Sequence, residues 1–279
     1  MTIATRDQLI NGMANNSSRL ILDKASIANT VAGQFHSLWR ATGQPGQAAI
    51  PAAAAVCTNA LLGAMAFNQQ TTPSTSYISF LEAMCSNAGT SLEIHDRIMH
   101  MGGLSAIVIT AQTVGLNVFA NTGINNVLAR VGVSDFSDLQ WWLVVNTDTG
   151  ATASNATINV TYNDATTGDL TLVAVGGTLR ASRMIALNSL IPAAKSGFYI
   201  RSINTVTLSA STATAGNFGF IATRLRASSY LPVVQVKFVS DWAALGLPDV
   251  ANESCLFAVQ IASTTTTGSV RASGKTAHG

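Results

Sequence analysis

The chain has 279 residues, of which 48% are hydrophobic but only 10% charged, with 15 Lys and Arg set against 13 Asp and Glu for a net charge of +2. An average soluble domain carries roughly 25% charged residues, so solvation here falls to Thr, Ser, Asn, Gln and Gly, and the small net charge supplies little repulsion between copies. Basic residues dispersed among acidic ones make no patch able to neutralise phosphates, which argues against a nucleic-acid partner.

Met1-Thr2-Ile3-Ala4-Thr5-Arg6-Asp7 is followed by no apolar run, so no secretory leader is expected. From Thr5 to about Ala32, the spacing of Leu9, Ile10 and Met13, then of Leu20, Ile21, Leu22, Ile27 and Val31, predicts helix interrupted at Asn15-Asn16-Ser17-Ser18. Residues 34–40 are short enough for a strand and lead into the turn-forming Thr42-Gly43-Gln44-Pro45-Gly46. Residues 52–65 are Ala-rich and read as helix or extended loop. Tyr77, Ile78, Leu81 and Met84 lie at helical spacing, with Asn87-Ala88-Gly89 as the stop.

The period then changes. Residues 104–118, rich in Ile, Val and Thr, predict a strand, and from Leu139 onward short strands alternate with turn residues. The expected strands are 139–145, 157–162, 170–175, 182–187, 198–208, 218–226, 233–239, 255–261 and 269–272. In residues 156–162, Ile158, Val160 and Tyr162 share one face while Thr157, Asn159 and Thr161 share the other, as in a sheet with one buried side. The fold class that follows is mainly β with an α-containing N-terminal part and an antiparallel β-sandwich or jelly roll in the C-terminal half. A boundary between Val133 and Asp138 would separate a mixed α/β assembly region, residues 1–135, from a β-sandwich domain, residues 136–279.

Two stretches without charge, between Arg40 and Glu82 and between Arg97 and Arg130, are long enough to span a bilayer. Pro51, Thr58 and Asn59 break the first, and Gly102, Gly103, Gln112 and Asn117 the second, so no membrane span is expected. Cys57, Cys85 and Cys255 are odd in number and far apart, which gives neither a disulfide framework nor a zinc site and suits small apolar core residues.

Gly274-Lys275-Thr276 resembles the end of a phosphate-binding loop, but the first glycine that loop requires is displaced to Gly268, with Ser269 in its place, and only three residues follow to form the helix. His95 and His100 are five apart, wrong for a helical zinc pair. His95-Asp96-Arg97 could set a carboxylate beside an imidazole for general-base work, yet in a chain so poor in charge an ion-pair or hydrogen-bond anchor is the commoner use; His36 reads as a core or interface residue. The Arg224, Arg226 and Lys237 neighbourhood reads as a solvated strand face. Asp135, Asp138, Asp148, Asp164 and Asp169 fall in or beside turns, where Asp is a turn former; Asp148, Asp164 and Asp169 could also meet around calcium. Trp141-Trp142 on a strand should send one ring into the core and the other outward. No catalytic, cofactor-binding or metal-ligating residue is assigned, no cofactor is expected, and an enzyme is not.

The segment Phe35-His36-Ser37-Leu38-Trp39-Arg40-Ala41-Thr42-Gly43-Gln44-Pro45-Gly46 resembles virion structural proteins of tailed double-stranded-DNA bacteriophages. Similar cues are His95-Asp96-Arg97, Thr110-Ala111-Gln112-Thr113 and Ser263-Thr264-Thr265-Thr266-Thr267-Gly268. The resemblance implies a capsid decoration, or cement, protein on the virion surface, synthesised in the host cytoplasm, with the major capsid protein as partner and self-association as a homotrimer. A tail or head-fibre component and a carbohydrate-binding β-sandwich module using an outward Trp are the alternatives.

Overall fold

The computed structural model describes residues 3–71 and 74–279. Thr5 opens helix α1 (Arg6–Asn15) with a reciprocal cap: its hydroxyl accepts from the Gln8 N–H at 3.2 Å while Gln8 Oε1 accepts from the Thr5 N–H at 3.1 Å. The helix stops there. Strand β1 (Ser17–Lys24) replaces the helix expected after the Asn-Ser break: Leu20, Leu22 and Lys24 are buried while Arg19, Ile21 and Asp23 are exposed, a period of two that Ile21 between two leucines disguises. β2 (Phe35–Ser37), β3 (Gly43–Gln44) and β4 (Ala55–Val56) follow, and the Ala-rich 52–65 stretch is extended loop apart from β4.

β5 (Ser76–Cys85) stands where a second helix was expected. Its first four residues are all buried, so apolar residues occupy both faces and the alternation that marks a half-exposed strand is lost. β6 (Thr90–Leu104) is a 15-residue strand that carries Glu93 to Arg97; of the strand expected over 104–118 only its first residue, at the end of β6, and β7 (Gln112–Asn117) are strand, with turn and loop over 105–111. After the short helix α2 (Val127–Val131) come β8 (Gln140–Thr147), β9 (Asn155–Tyr162), β10 (Thr167–Asp169), β11 (Val173–Ala174), β12 (Arg183–Ala186), β13 (Ile200–Leu208) and β14 (Asn217–Leu231). β15 (Phe238–Asp241), α3 (Trp242–Leu245), β16 (Asp249–Val250), β17 (Leu256–Ile261) and β18 (Val270–His278) complete the chain. The strand expected over 233–239 begins only at Phe238, because Gln235 takes a left-handed φ of 56° and turns the chain.

These elements form two compact units. The first comprises Met1–Ala49, Thr58–Asp96 and Leu225–Gly279; the second comprises Ile50–Cys57 and Arg97–Arg224. Residues 133–138, where a boundary was expected, lie inside the second unit; the chain enters that unit for Ile50–Cys57, returns to the first at Thr58, leaves it again within β6 and returns within β14. No linear cut separates them.

In the first unit, one antiparallel sheet runs β15-β5-β18-β1-β3, with β16 also on β5. In the other layer, β17 pairs antiparallel with β2 and with residues 91–96 of β6. Leu20, Leu22, Leu81, Ile94 and Leu256 share the core. In the second unit β9 pairs with β10, β11 and β13, and β13 with β7; in its other layer β8 pairs with β12 and with residues 217–223 of β14. The alternation read in residues 156–162 holds, with Ile158, Val160 and Tyr162 buried against Trp141, Phe218 and Phe220 in one core. Both units are thus antiparallel β-sandwiches, with helix confined to short segments.

Candidate functional site

The residues with chemical potential are taken up in internal hydrogen bonds and ion pairs, to backbone and to one another. In the first unit, Asp96 Oδ2 accepts from Ser254 Oγ at 2.9 Å and Oδ1 from the Cys255 N–H at 2.8 Å, which pins the approach to β17 against β6. His95 turns to the opposite face of β6, where its Nε2 donates to Glu93 Oε2 at 2.8 Å and its ring lies 6.1 Å from that of Phe257. His95 and Asp96 therefore point apart, as neighbours on a strand must, and make no acid–base pair with each other. The anchoring use is the one the strand permits.

His36 is buried, and its Nε2 accepts from the Val31 N–H at 3.2 Å. His278, also buried, shares a 2.9 Å hydrogen bond between Nδ1 and Ser76 Oγ, and burial holds its pKa below the ordinary imidazole value. Gly274-Lys275-Thr276 lies within β18, between β5 and β1, so its amides belong to a ladder and cannot cradle a phosphate; Lys275 Nζ donates to the Met13 carbonyl at 3.3 Å. Lys24 is the least expected member of this group. It is buried beside Leu20 and Leu22, and its ammonium donates to the carbonyls of Ala41 at 3.0 Å and Pro45 at 2.5 Å. Burial lowers its pKa to about 8.

In the second unit, Arg130 is buried and donates through Nη1 to the Cys57 carbonyl at 2.6 Å and through Nη2 to the Arg97 carbonyl at 2.8 Å, and the Arg97 Nε donates to His100 Nδ1 at 3.3 Å. The turn aspartates have separate partners. Burial raises the Asp148 pKa, but the Arg180 side chain, 2.7 Å away, and the Ala181 N–H more than offset it, leaving the carboxyl below its usual range. Asp164 is held low by the Thr166 hydroxyl, with Lys195 3.6 Å away, and Asp169 accepts from Asn159 Nδ2 at 2.8 Å. Among the described residues, no three His, Cys, Asp or Glu side chains come together as a metal site. Cys57, Cys85 and Cys255 are buried and form no disulfide among the described residues.

The expectation for the tryptophans needs correcting. Trp141 and Trp142 do point to opposite faces of β8, but both are buried, at 0% and 3% exposure, because both faces of this strand are covered. Trp141 Nε1 donates to the Ile200 carbonyl at 2.8 Å and Trp142 Nε1 to Thr223 Oγ1 at 2.9 Å. Arg224 and Arg226 are not a solvated face either: Arg224 pairs with Asp138 at 3.1 Å, and Arg226, buried, with Asp249 at 2.8 Å.

What remains outward is a largely neutral polar surface with large apolar side chains set in it. Lys24, Asp96, Arg97, Arg130 and Arg226 are withdrawn from the surface, while Ile109, Phe119 and Leu128 of the second unit and Tyr230, Val233 and Val239 of the first are exposed. Sequence reasoning found the low charge but not these positions, since exposed and buried valines look alike in a strand-rich chain. The Phe35–Gly46 segment belongs to the interior at its centre: Trp39 meets Phe257 edge-on at 5.9 Å, and Gly63 is close against the Trp39 ring, where a Cβ would stand 2.9 Å from it.

No family model and no curated protein matches the sequence. Among solved structures, the VP2 subviral particle of infectious bursal disease virus aligns at 12% identity over 94% of this chain and 79% of that one, with a TM-score of 0.17. The Gt strain of the same virus aligns at 9% identity over 94% and 80%, with a TM-score of 0.16. Superpositions at this level define no common fold.

Proposed function

We propose that this chain is a non-enzymatic structural component of a virus particle, and within that role a capsid decoration protein that docks on a shell built by a separate major capsid protein. The observation that carries the assembly reading is the division of labour among side chains. Histidines, buried charges and turn aspartates are engaged in internal hydrogen bonds and ion pairs, whereas the low-charge surface exposes runs of apolar side chains, Ile107 to Ile109 and Val233, Val234 and Val236. Such a surface is poorly suited to a dilute monomer and well suited to contacts that exclude water. A decoration protein works by adding interface area across neighbouring subunits, and whatever binds only the assembled state stabilises it by mass action. The bacteriophage particle and the decoration role rest on the resemblance of the Phe35–Gly46 segment and its companions.

The carbohydrate-binding alternative loses its principal support, since neither Trp141 nor Trp142 is available to stack on a sugar. Quantitative mass spectrometry of purified particles, with density mapping, tests the proposal. Hundreds of copies per particle, with density on the outer face of the shell, are expected. A few copies would place the chain in a tail or portal instead, and absence from the particle would remove the virion role altogether.

A further inference from the structure

Two edges of the same sheet in the first unit are built to meet. β1 pairs with β18 through its even-numbered residues, since the His278 N–H donates to the Asn16 carbonyl at 2.9 Å and the register then brings Ser18, Leu20 and Leu22 into hydrogen-bonding positions. Its odd-numbered residues turn their N–H and C=O groups the other way, as Ala25 does beyond the strand, where its N–H donates to the Thr42 carbonyl at 3.0 Å. Among the described residues β3 covers this edge only at Asp23 and Lys24, so Arg19 to Leu22 form an open edge. A groove of about 360 Å³ lies beside it, lined by Arg19, Ile21, Pro45, Leu61 and Leu62 among others.

The opposite end of the sheet is β15, which is four residues long and pairs only with β5 among the described strands. Carrying the alternation across the sheet, Arg271 and Ser273 bond to β5, so Ala83 and Leu81 bond to Phe238 and Ser240, and the outer groups of β15 belong to Val239 and Asp241. The connecting turn agrees, because the Gln235 N–H reaches the Cys85 carbonyl at 2.8 Å.

We propose that β15 of one copy adds antiparallel to the Arg19–Leu22 edge of the next, continuing the sheet between copies. Arg19 then lies opposite Asp241 and Ile21 opposite Val239, both in hydrogen-bonding positions, with Leu20 opposite Ser240 and Leu22 opposite Phe238 on the inner face. Hydrogen-bond parity, sheet face, charge sign and length agree in this register, and a slip of one residue would put every side chain on the wrong face. Ile21 is 47% exposed and Val239 60%, and both stand on the outer face in one row with Ser273 and Glu82. One Asp241 oxygen caps α3 by accepting from the Ala243 and Ala244 N–H groups; the other accepts no hydrogen bond among the described residues. The contact joins two different surfaces, so repetition gives a ring or an open filament rather than an isologous dimer. It deepens the assembly reading above and rests on it.

Disulfide trapping tests it in the full chain. Facing residues of a hydrogen-bonded antiparallel pair are about 5.5 Å apart at Cα, within disulfide reach. Under mild oxidation, an equimolar mixture of Ile21→Cys and Val239→Cys proteins is expected to cross-link, while either alone is not. In sedimentation, Ile21→Glu and Val239→Lys should each weaken self-association at least ten-fold, and mixing both changes in one chain should restore it. Each is compatible with its own sheet, the new carboxylate lying near Arg19 and the new ammonium facing Glu82, and circular dichroism verifies folding. Self-association with no cross-link in the mixture, cross-linking of either variant with itself, or a monomer throughout the accessible concentration range would overturn the contact. Particle mass spectrometry remains independent of all three outcomes.

Discussion

The Lys24 ammonium and the Ala41 carbonyl lie 3.0 Å apart in the interior of the first unit, where an ionisable amine has been set among leucines to hold a turn. Burial lowers the Lys24 pKa from 10.5 to about 8, so between these values the unfolded chain binds more protons than the folded one. The contribution of this group to stability is complete above pH 10.5, is lost as pH falls toward 8, and is constant below that. At about 1.4 kcal/mol per pKa unit the span is on the order of 3 kcal/mol. Urea melts of wild type and Lys24→Met across pH 7.5 to about 10 check this: the wild type should gain on the variant as pH rises, and parallel curves would contradict it.

Asp96→Ala should destabilise the first unit by about 2–4 kcal/mol, since it removes the acceptor of both Ser254 Oγ and the Cys255 N–H in a dry site. Asp96→Asn, which keeps one carbonyl oxygen, should lose less. Chemical denaturation of both variants measures the ordering, and equal losses would show that charge rather than hydrogen bonding dominates.

In the second unit, Arg130→Met should cost about 2–4 kcal/mol by leaving the Cys57 and Arg97 carbonyls without this donor. Arg130→Lys should recover only part, because a single ammonium cannot reproduce the guanidinium fork. Thermal unfolding of the pair decides it.

Gly219→Ala should prevent accumulation of folded protein, because a Cβ at that position would fall onto the Met101 carbonyl, which is backbone and cannot rotate away. Gly115→Ala meets no such obstacle, but its φ of 64° strains any side chain, so it should fold with a loss of about 1 kcal/mol. Soluble yield and melting temperature separate the two cases.

Legibility in the sequence followed the geometry of each strand. β9 is buried on one side, so its alternation could be read directly. β5 could not, because Ser76 to Ser79 are covered on both faces and the remaining apolar spacing imitates a helix. β1 and β18 pair across about 250 residues, from Ser18 to Thr276 and beyond, and no local signal carries that information. The spacing failure of Gly274-Lys275-Thr276 was visible in sequence, whereas its place in a ladder was not. For Trp141 and Trp142, the opposed directions followed from strand geometry, but their burial depended on what covers each face. The open edges of β1 and β15 are properties of strand order, which composition does not encode.

The placement of β18 has a consequence for synthesis. All residues of the second unit have been made once the ribosome passes Arg224, so that sandwich can close while the chain is still growing. The first unit must wait longer, because β18 is the strand between β5 and β1 and is the last of its strands to be made. Until Val270 to His278 are released, β1 and β5 both wait with their inner ladder edges bare. During that interval the nascent chain is most prone to mispairing with its neighbours on a polysome.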